Sequence, residues 1–396
     1  LLVCSFVYGD VILKILADAN IPFVRECFCS MGDVTVVSGR EMTASLVADA
    51  DCLLVRSVTA VNSDLLAGSR VRFVGTATIG FEHVDVDFLA KQNIAFASAP
   101  GSNANSVAEY VVAAMLEAAK KHKFQLEGKS IGIVGVGNVG SRVEKKAKAL
   151  GMKVYLNDPP LQRESGDGKY LPIEKVYGCD FVTLHTPLSF EGIDRTFHLA
   201  GEHFFKSLKD GCIFLNTSRG GVVDTAALKG AIKSGKVRAA VLDVWEGEPN
   251  IDAELLEMVS IGTPHIAGYS LDGKVGGLIM IYKAACEYFG VEEKFGIGSF
   301  LPEPAAPQLT IVEGNSGDEE VLRETVEKIY NIRADDSRLR WILDRPPGKR
   351  GKFFDGLRRD YAVRREFQNT SVVVKDKSSG LAGKLKGIGF KVADSE

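Results

Sequence analysis

The chain has 396 residues, 45% hydrophobic and 25% charged, with a formal net charge of −3 at pH 7. That length suits two or three domains, and the composition is that of an ordinary globular protein with no global drive towards nucleic acid or anionic membrane. No run of about 18 apolar residues occurs, so no transmembrane helix is expected, and the seven cysteines show no paired spacing, which predicts a reduced, cytoplasmic chain without a metal site.

Residues 1–12 are apolar but lack a basic leader region and a small-residue cleavage site, so they read as an extension outside the fold. From Lys14 short apolar runs alternate with amphipathic stretches. Lys14–Ala17, Val34–Val37, Cys52–Val55 and Arg72–Gly75 read as strands, and Pro22–Met31 as a helix. A long apolar helix is predicted over Asn105–His122. A second alternating unit begins at Ser130, with strands at Lys153–Leu156, Phe181–Leu184, Cys212–Asn216 and Ala239–Asp243. It ends near His265, and Leu271–Phe289 reads as a helix that carries the chain back onto the first unit. Strands alternating with helices predict doubly wound parallel sheets covered on both faces.

Three prolines in Leu301–Pro307 mark a linker. Beyond it, a helix is expected over Glu319–Tyr330 and a strand over Ser371–Lys375. Between them, Arg338–Arg365 holds ten Lys or Arg against three Asp. The predicted division is a substrate domain over 13–108 and 267–297, a dinucleotide-binding domain over 109–266, and a small α+β domain over 298–396.

The sharpest motif is Gly135-Val-Gly137-Asn138-Val139-Gly140, set between the strand Ile131–Val134 and a helix over Val139–Leu150. The first glycine permits a tight turn. The second lets backbone approach a pyrophosphate, and the third lets helix and strand pack closely. The pyrophosphate would then sit on the positive end of the helix. Asp158, eighteen residues beyond Gly140, ends the next strand. A carboxylate there accepts hydrogen bonds from ribose hydroxyls and repels a 2′-phosphate, which favours NAD over NADP. Followed by two prolines, it also reads as a turn former.

Of the six histidines, His265 follows a strand end in Pro-His-Ile-Ala-Gly, where an open α/β sheet forms its ligand crevice. His185 also ends a strand and is its rival from spacing alone, although its place beside Thr186 suits a cofactor wall. Arg219, in Ser-Arg-Gly-Gly, can clamp a carboxylate through its planar fork. Glu248, in Asp243-Val-Trp-Glu-Gly-Glu-Pro, can hold an imidazole and stabilise its charged form, with Glu246 and Asp243 as rivals.

In this order, the glycine turn, Asp158, Arg219, Glu248 and His265 resemble the D-specific 2-hydroxyacid dehydrogenases, and the resemblance runs from Lys14 to about Phe289. It implies an NAD-dependent oxidoreductase in which Arg219, Glu248 and His265 are catalytic. It further implies that Asp158, Thr186, Thr217, Ser218, Arg219, Asp243 and Gly268 contact NAD, and that Ser57, Thr78 and Tyr269 contact substrate. Ala17–Pro22, Val55–Thr59, Val74–Gly80 and His265–Lys274 are similar to a branch that serves pyridoxine synthesis. Members of that branch oxidise a phosphorylated four-carbon 2-hydroxy acid and carry a C-terminal dimerisation domain. Such a substrate needs a second cation besides Arg219. Arg56 is one candidate and the basic stretch Arg338–Arg365 the other, reaching across from a partner in a dimer. The alternatives are another dehydrogenase of the family, acting on 3-phosphoglycerate, lactate or glyoxylate, and an NAD-sensing corepressor-like protein on the same fold. No nucleic-acid or membrane partner is expected.

Overall fold

The computed structural model describes residues 12–312, 317–375 and 379–393, so the expected N-terminal extension lies outside the described residues apart from Ile12. The chain forms two compact units. One contains residues up to Asn103 together with Ser270–Pro302, and the other contains Ala104–Tyr269 together with the chain from Glu303 onwards.

The first unit holds the parallel strands β1 (Leu13–Asp18), β2 (Gly32–Val37), β3 (Cys52–Val55), β4 (Phe73–Thr76) and β5 (Ala95–Ala97), in the order β2-β1-β3-β4-β5. All four residues of β3 and of β4 are buried, as a strand covered on both faces requires. The Leu271–Phe289 helix matches its predicted span. Its start is capped by the Ser270 hydroxyl, which accepts from Gly273 N at 2.8 Å. Val275, Leu278 and Tyr282 of this helix share a core with Phe28 and Phe73. Strand β5 went unread in the sequence, because three residues of Ala and Phe carry no measurable period.

The second unit holds β6 (Ser130–Val134), β7 (Lys153–Asn157), β8 (Phe181–Leu184), β9 (Cys212–Asn216), β10 (Val237–Leu242) and β11 (Ile261–Gly262). These are all parallel, in the order β11-β10-β9-β8-β6-β7. The chain steps outward from β6 to β7 and then returns to place β8 on the other side of β6. That reversal opens a crevice at the carboxyl ends of β6 and β8, where an open α/β sheet takes its ligand.

The C-terminal region adds β12 (Gln308–Val312), β13 (Ser371–Lys375) and β14 (Lys391–Ala393), all parallel and joined by helical crossovers. It belongs to the same compact unit as the dinucleotide-binding sheet rather than standing apart as a third one. The reason is a shared core. Leu322 and Val326 of the Asp318–Ile329 helix and Leu381 and Leu385 of the Ser379–Ile388 helix cluster with Val111 and Met115 of the Ala104–His122 helix. A polar seam runs through the same contact. Ser106 Oγ donates to Glu366 at 2.9 Å, Phe367 N donates to Glu109 at 3.0 Å, and Lys146 Nζ donates to Ile388 O at 2.5 Å. Burial pushes the Glu109 carboxyl up to about 8, against the opposing pull of Lys146.

Candidate active site

Every element of the site in the second unit sits at the carboxyl end of a parallel strand. After β6 comes the glycine turn. Gly135 has φ +86°, and a Cβ there would lie 2.8 Å from the His185 backbone. A Cβ on Gly140 would lie 2.0 Å from Gly135 O, whereas one on Gly137 would meet nothing within 4 Å. Two glycines are therefore required by backbone packing, and the middle one fronts open space, as approach of a pyrophosphate needs. The Asn138–Ala149 helix starts there with no side-chain cap, so its first N–H groups are left for an anion.

After β7, Asp158 accepts from Val136 N at 2.7 Å and, as cap of the Pro159–Ser165 helix, from Leu161 N at 3.0 Å. The turn-forming role read for this residue is thus present, and it fixes the carboxylate beside the glycine turn. After β8, His185 lies between two hydroxyls, Thr183 Oγ1 at 3.0 Å and Thr217 Oγ1 at 3.2 Å. Burial drives its imidazole down to about 3, so it is a neutral hydrogen-bonding wall and a poor base. The neighbouring Thr186 hydroxyl is buried with no hydrogen-bond partner. An orphaned donor beside the glycine turn fits a cofactor that would supply the missing bond.

After β9, Asn216 shapes the loop that carries Thr217, Ser218 and Arg219. Its Oδ1 accepts from Ser218 N at 3.0 Å and Ser218 Oγ at 2.7 Å, and its Nδ2 donates to Arg219 O at 3.0 Å. Gly220 follows because a Cβ there would lie 1.9 Å from Trp245 O. The loops after β9 and β10 are thereby locked together.

After β10, Asp243 is buried and holds the histidine loop from beneath. Its Oδ1 accepts from Thr263 Oγ1 at 2.6 Å and Ile266 N at 2.8 Å, and its Oδ2 from Ala267 N at 2.9 Å. His265 N donates to Asp243 O at 2.7 Å. These four bonds grip a residue in a costly conformation, for His265 has φ +57°. A non-glycine residue in that region costs about 1–3 kcal/mol and persists only where its surroundings over-determine it. The result is an imidazole whose Nδ1 lies 2.8 Å from Glu248 Oε2. Glu248 Oε1 accepts from Trp245 N at 2.7 Å. Burial alone would raise the Glu248 carboxyl, but the His265 charge, these hydrogen bonds and the Arg358 charge hold it below the usual glutamate value. The rival Glu246 is engaged elsewhere, accepting from His198 Nε2 at 2.6 Å.

Tyr269 ends this loop. Its ring packs edge-on to Tyr361 with centroids 6.1 Å apart, and the Arg358 guanidinium lies 5.8 Å from its centroid. Arg56, Ser57 and Thr78 lie in the first unit, after β3 and β4. Arg56 donates to Asn20 O at 2.9 Å, and Thr78 Oγ1 bonds Thr76 Oγ1 at 2.7 Å and Gly80 O at 2.8 Å. The structural roles of Asn216 and Asp243 and the place of Arg358 were missed by sequence reasoning. For Arg358 the only signal was the basic stretch as a whole. Among the described residues no His, Cys, Asp and Glu cluster could hold a metal ion, and no helix is long and apolar enough to cross a membrane.

Residues 99–267 match the family model described as D-isomer specific 2-hydroxyacid dehydrogenase, NAD binding domain, and residues 300–389 match a domain of unknown function (DUF3410). The chain is 44% identical to erythronate-4-phosphate dehydrogenase of Pectobacterium carotovorum over 96% of its length and 98% of the relative's. It is 43% identical to the protein of that name from Proteus mirabilis, over 96% and 99% of the two chains. Among solved structures, D-lactate dehydrogenase from Aquifex aeolicus, complexed with NAD and lactic acid, superposes with a TM-score of 0.57 at 25% identity. That match covers 70% of this chain and 96% of the other. The NAD+-bound 3-phosphoglycerate dehydrogenase of Entamoeba histolytica gives 0.61 at 23% identity, over 72% and 99%. The chain belongs to the D-isomer specific 2-hydroxyacid dehydrogenase family, in its erythronate-4-phosphate dehydrogenase branch.

Proposed function

We propose that this protein oxidises 4-phospho-D-erythronate at C2 to (R)-3-hydroxy-2-oxo-4-phosphooxybutanoate with NAD, as a step of pyridoxine synthesis. The observation that carries the chemistry is the Glu248–His265 pair, held at 2.8 Å in the sheet that also bears the glycine turn. The branch relatives named for phosphoerythronate carry the choice of substrate.

NAD supplies the hydride acceptor when bound. Its pyrophosphate would rest on the Gly135–Gly140 turn, and Asp158 would hold the ribose. Thr186, Thr217, Ser218 and Gly268 would line the rest of the site. His265 takes the proton of the C2 hydroxyl through Nε2, because Nδ1 faces Glu248. Glu248 stabilises the imidazolium that forms. Arg219 holds the substrate carboxylate and steadies charge on the C2 oxygen as the ketone develops. Ser57, Thr78 and Tyr269 complete the substrate contacts. Asp243 reaches the nicotinamide only with lone pairs left over from its loop-holding bonds.

The C-terminal region is the proposed dimer contact, and sedimentation of the whole chain checks the assembly. A cytoplasmic place accords with six free cysteines among the described residues. Several cations of the basic stretch are already paired or buried. Arg338 pairs with Asp335, Arg340 with Asp336 and Arg359 with Asp360, while Arg364 is buried. These pairings argue against a nucleic-acid face. The deciding assay is NAD reduction with a panel of 2-hydroxy acids, each with and without a terminal phosphate. Turnover that ignores the phosphate would make a general 2-hydroxyacid dehydrogenase the better reading.

A further inference from the structure

The substrate reading leaves one charge unmatched. Arg219 can serve the carboxylate, and the phosphate at the other end then needs its own cation. Only two carbons and an ester oxygen separate C2 from phosphorus, so the phosphate must lie close to the loop that carries His265 and Tyr269.

Arg358 lies on the Pro347–Arg359 helix. Gly351, two turns earlier on the same face, packs so tightly that a Cβ there would lie 2.6 Å from Asn250 Oδ1 and 3.3 Å from Pro249 Cγ. That face of the helix is therefore seated on the turn just after Glu248. The Arg358 guanidinium reaches the Tyr269 ring, 5.8 Å from its centroid. The guanidinium hydrogen-bonds Tyr269, and its Nε is buried with no hydrogen-bond partner. A guanidinium has five N–H donors, so one that hydrogen-bonds Tyr269 and leaves Nε unsatisfied has donors to give.

The chain just beyond Arg358 is pinned at two places: Arg364 Nη2 donates to Ala267 O of the histidine loop at 2.5 Å, and Tyr361 OH donates to Asp335 of the Ile332–Arg340 helix at 2.7 Å. The cation is thus positioned before any ligand arrives. Burial works against its charge, but Tyr269, Glu248 and Asp355 all favour the charged form.

We propose that Arg358, delivered by the C-terminal region of the same chain, binds the phosphate group of the substrate beside Tyr269. This rests on the phosphorylated-substrate reading above and gives the C-terminal region a role in specificity besides assembly. It also separates two expected candidates, because the cation comes from the basic stretch but from within the chain, with no partner needed to supply it.

The test has two arms. In the first, R358A and R358K are assayed with NAD on 4-phospho-D-erythronate and on D-erythronate. Loss of a charge-assisted bond to phosphate should raise KM for the phosphorylated substrate by roughly 10- to 100-fold. The effect on the unphosphorylated substrate should be at least tenfold smaller, and R358K should recover part of the loss. In the second arm, inorganic phosphate is titrated by calorimetry into the NAD-loaded full-length protein. Wild type and R359A, whose cation is already paired with Asp360, should bind alike, and R358A should bind at least tenfold more weakly. NAD affinity and melting temperature confirm that each variant is folded. Equal losses on both substrates, phosphate binding unaltered in R358A, or an R359A as impaired as R358A would each overturn the proposal. If wild type ignores the phosphate in the first arm while Arg358 still governs phosphate binding in the second, the substrate reading fails and the anion site stands.

Discussion

Replacing Glu248 with Gln changes one atom and should disable the histidine. The carboxylate now accepts two bonds, from Trp245 N at 2.7 Å on Oε1 and from His265 Nδ1 at 2.8 Å on Oε2. An amide has one oxygen and can satisfy only one of those donors. If its oxygen stays with Trp245, its NH2 faces Nδ1, which must then accept. The proton moves to Nε2, and the imidazole can no longer take one from a substrate hydroxyl. If its oxygen turns to His265, two N–H groups face each other at Trp245. Either way a charge-assisted bond is lost, worth about 1.5–3 kcal/mol, which corresponds to roughly 10- to 100-fold in kcat/KM. NAD affinity should stay within about twofold, since Glu248 touches none of the glycine-turn residues. The measurement is kcat/KM with NAD and 4-phospho-D-erythronate, alongside NAD binding by fluorescence, for E248Q and E246Q. Glu246 serves His198, so E246Q should retain most activity. An E248Q enzyme within threefold of wild type, or an E246Q enzyme that loses as much, would refute the pairing as the source of catalysis.

Gly140→Ala should abolish NAD binding or unfold the second unit, because the new methyl would lie 2.0 Å from Gly135 O and backbone cannot yield as a side chain can; overpacking of this kind costs roughly 1–3 kcal/mol or more, readable as a drop in melting temperature. Asp158→Ser should narrow the preference for NAD over NADP by removing the charge that repels a 2′-phosphate, as the ratio of kcat/KM values for the two cofactors will show. His185 is held neutral at about 3 by burial, below the ordinary histidine value. The unfolded chain therefore binds the extra proton first, and folding stability falls as pH drops from about 6.5 towards 3. Urea unfolding at pH 7 and pH 4.5 should show a smaller acid loss for His185→Gln than for wild type, and an equal loss would reject the buried neutral state.

The residues proposed to do chemistry were legible because the sequence places them at strand ends, and parallel strands deliver their carboxyl ends to one edge. The glycine turn, Asp158, Arg219, Glu248 and His265 each follow an apolar run, so local pattern alone gathers them. The Leu271–Phe289 helix and strand β13 were read to the residue, since long apolar periodicity and a Val run leave little choice. What local pattern does not carry is a partner distant in sequence. Spacing alone did not separate Glu248 from Glu246, which only the family resemblance distinguished; the structure sets one against His265 and the other against His198. Asp243 read as a cofactor contact, yet its carboxylate holds the left-handed histidine loop across more than twenty residues of chain. The C-terminal region read as a domain apart because prolines precede it. In the fold it shares a core with the Ala104–His122 helix, as apolar faces left uncovered by one segment are covered by another wherever water can be excluded. By itself, the sequence determined the strand ends and the candidate reactive groups upon them. Only tertiary structure decided which carboxylate meets the histidine and which of ten cations reaches Tyr269, because both are contacts between segments that the chain order leaves far apart.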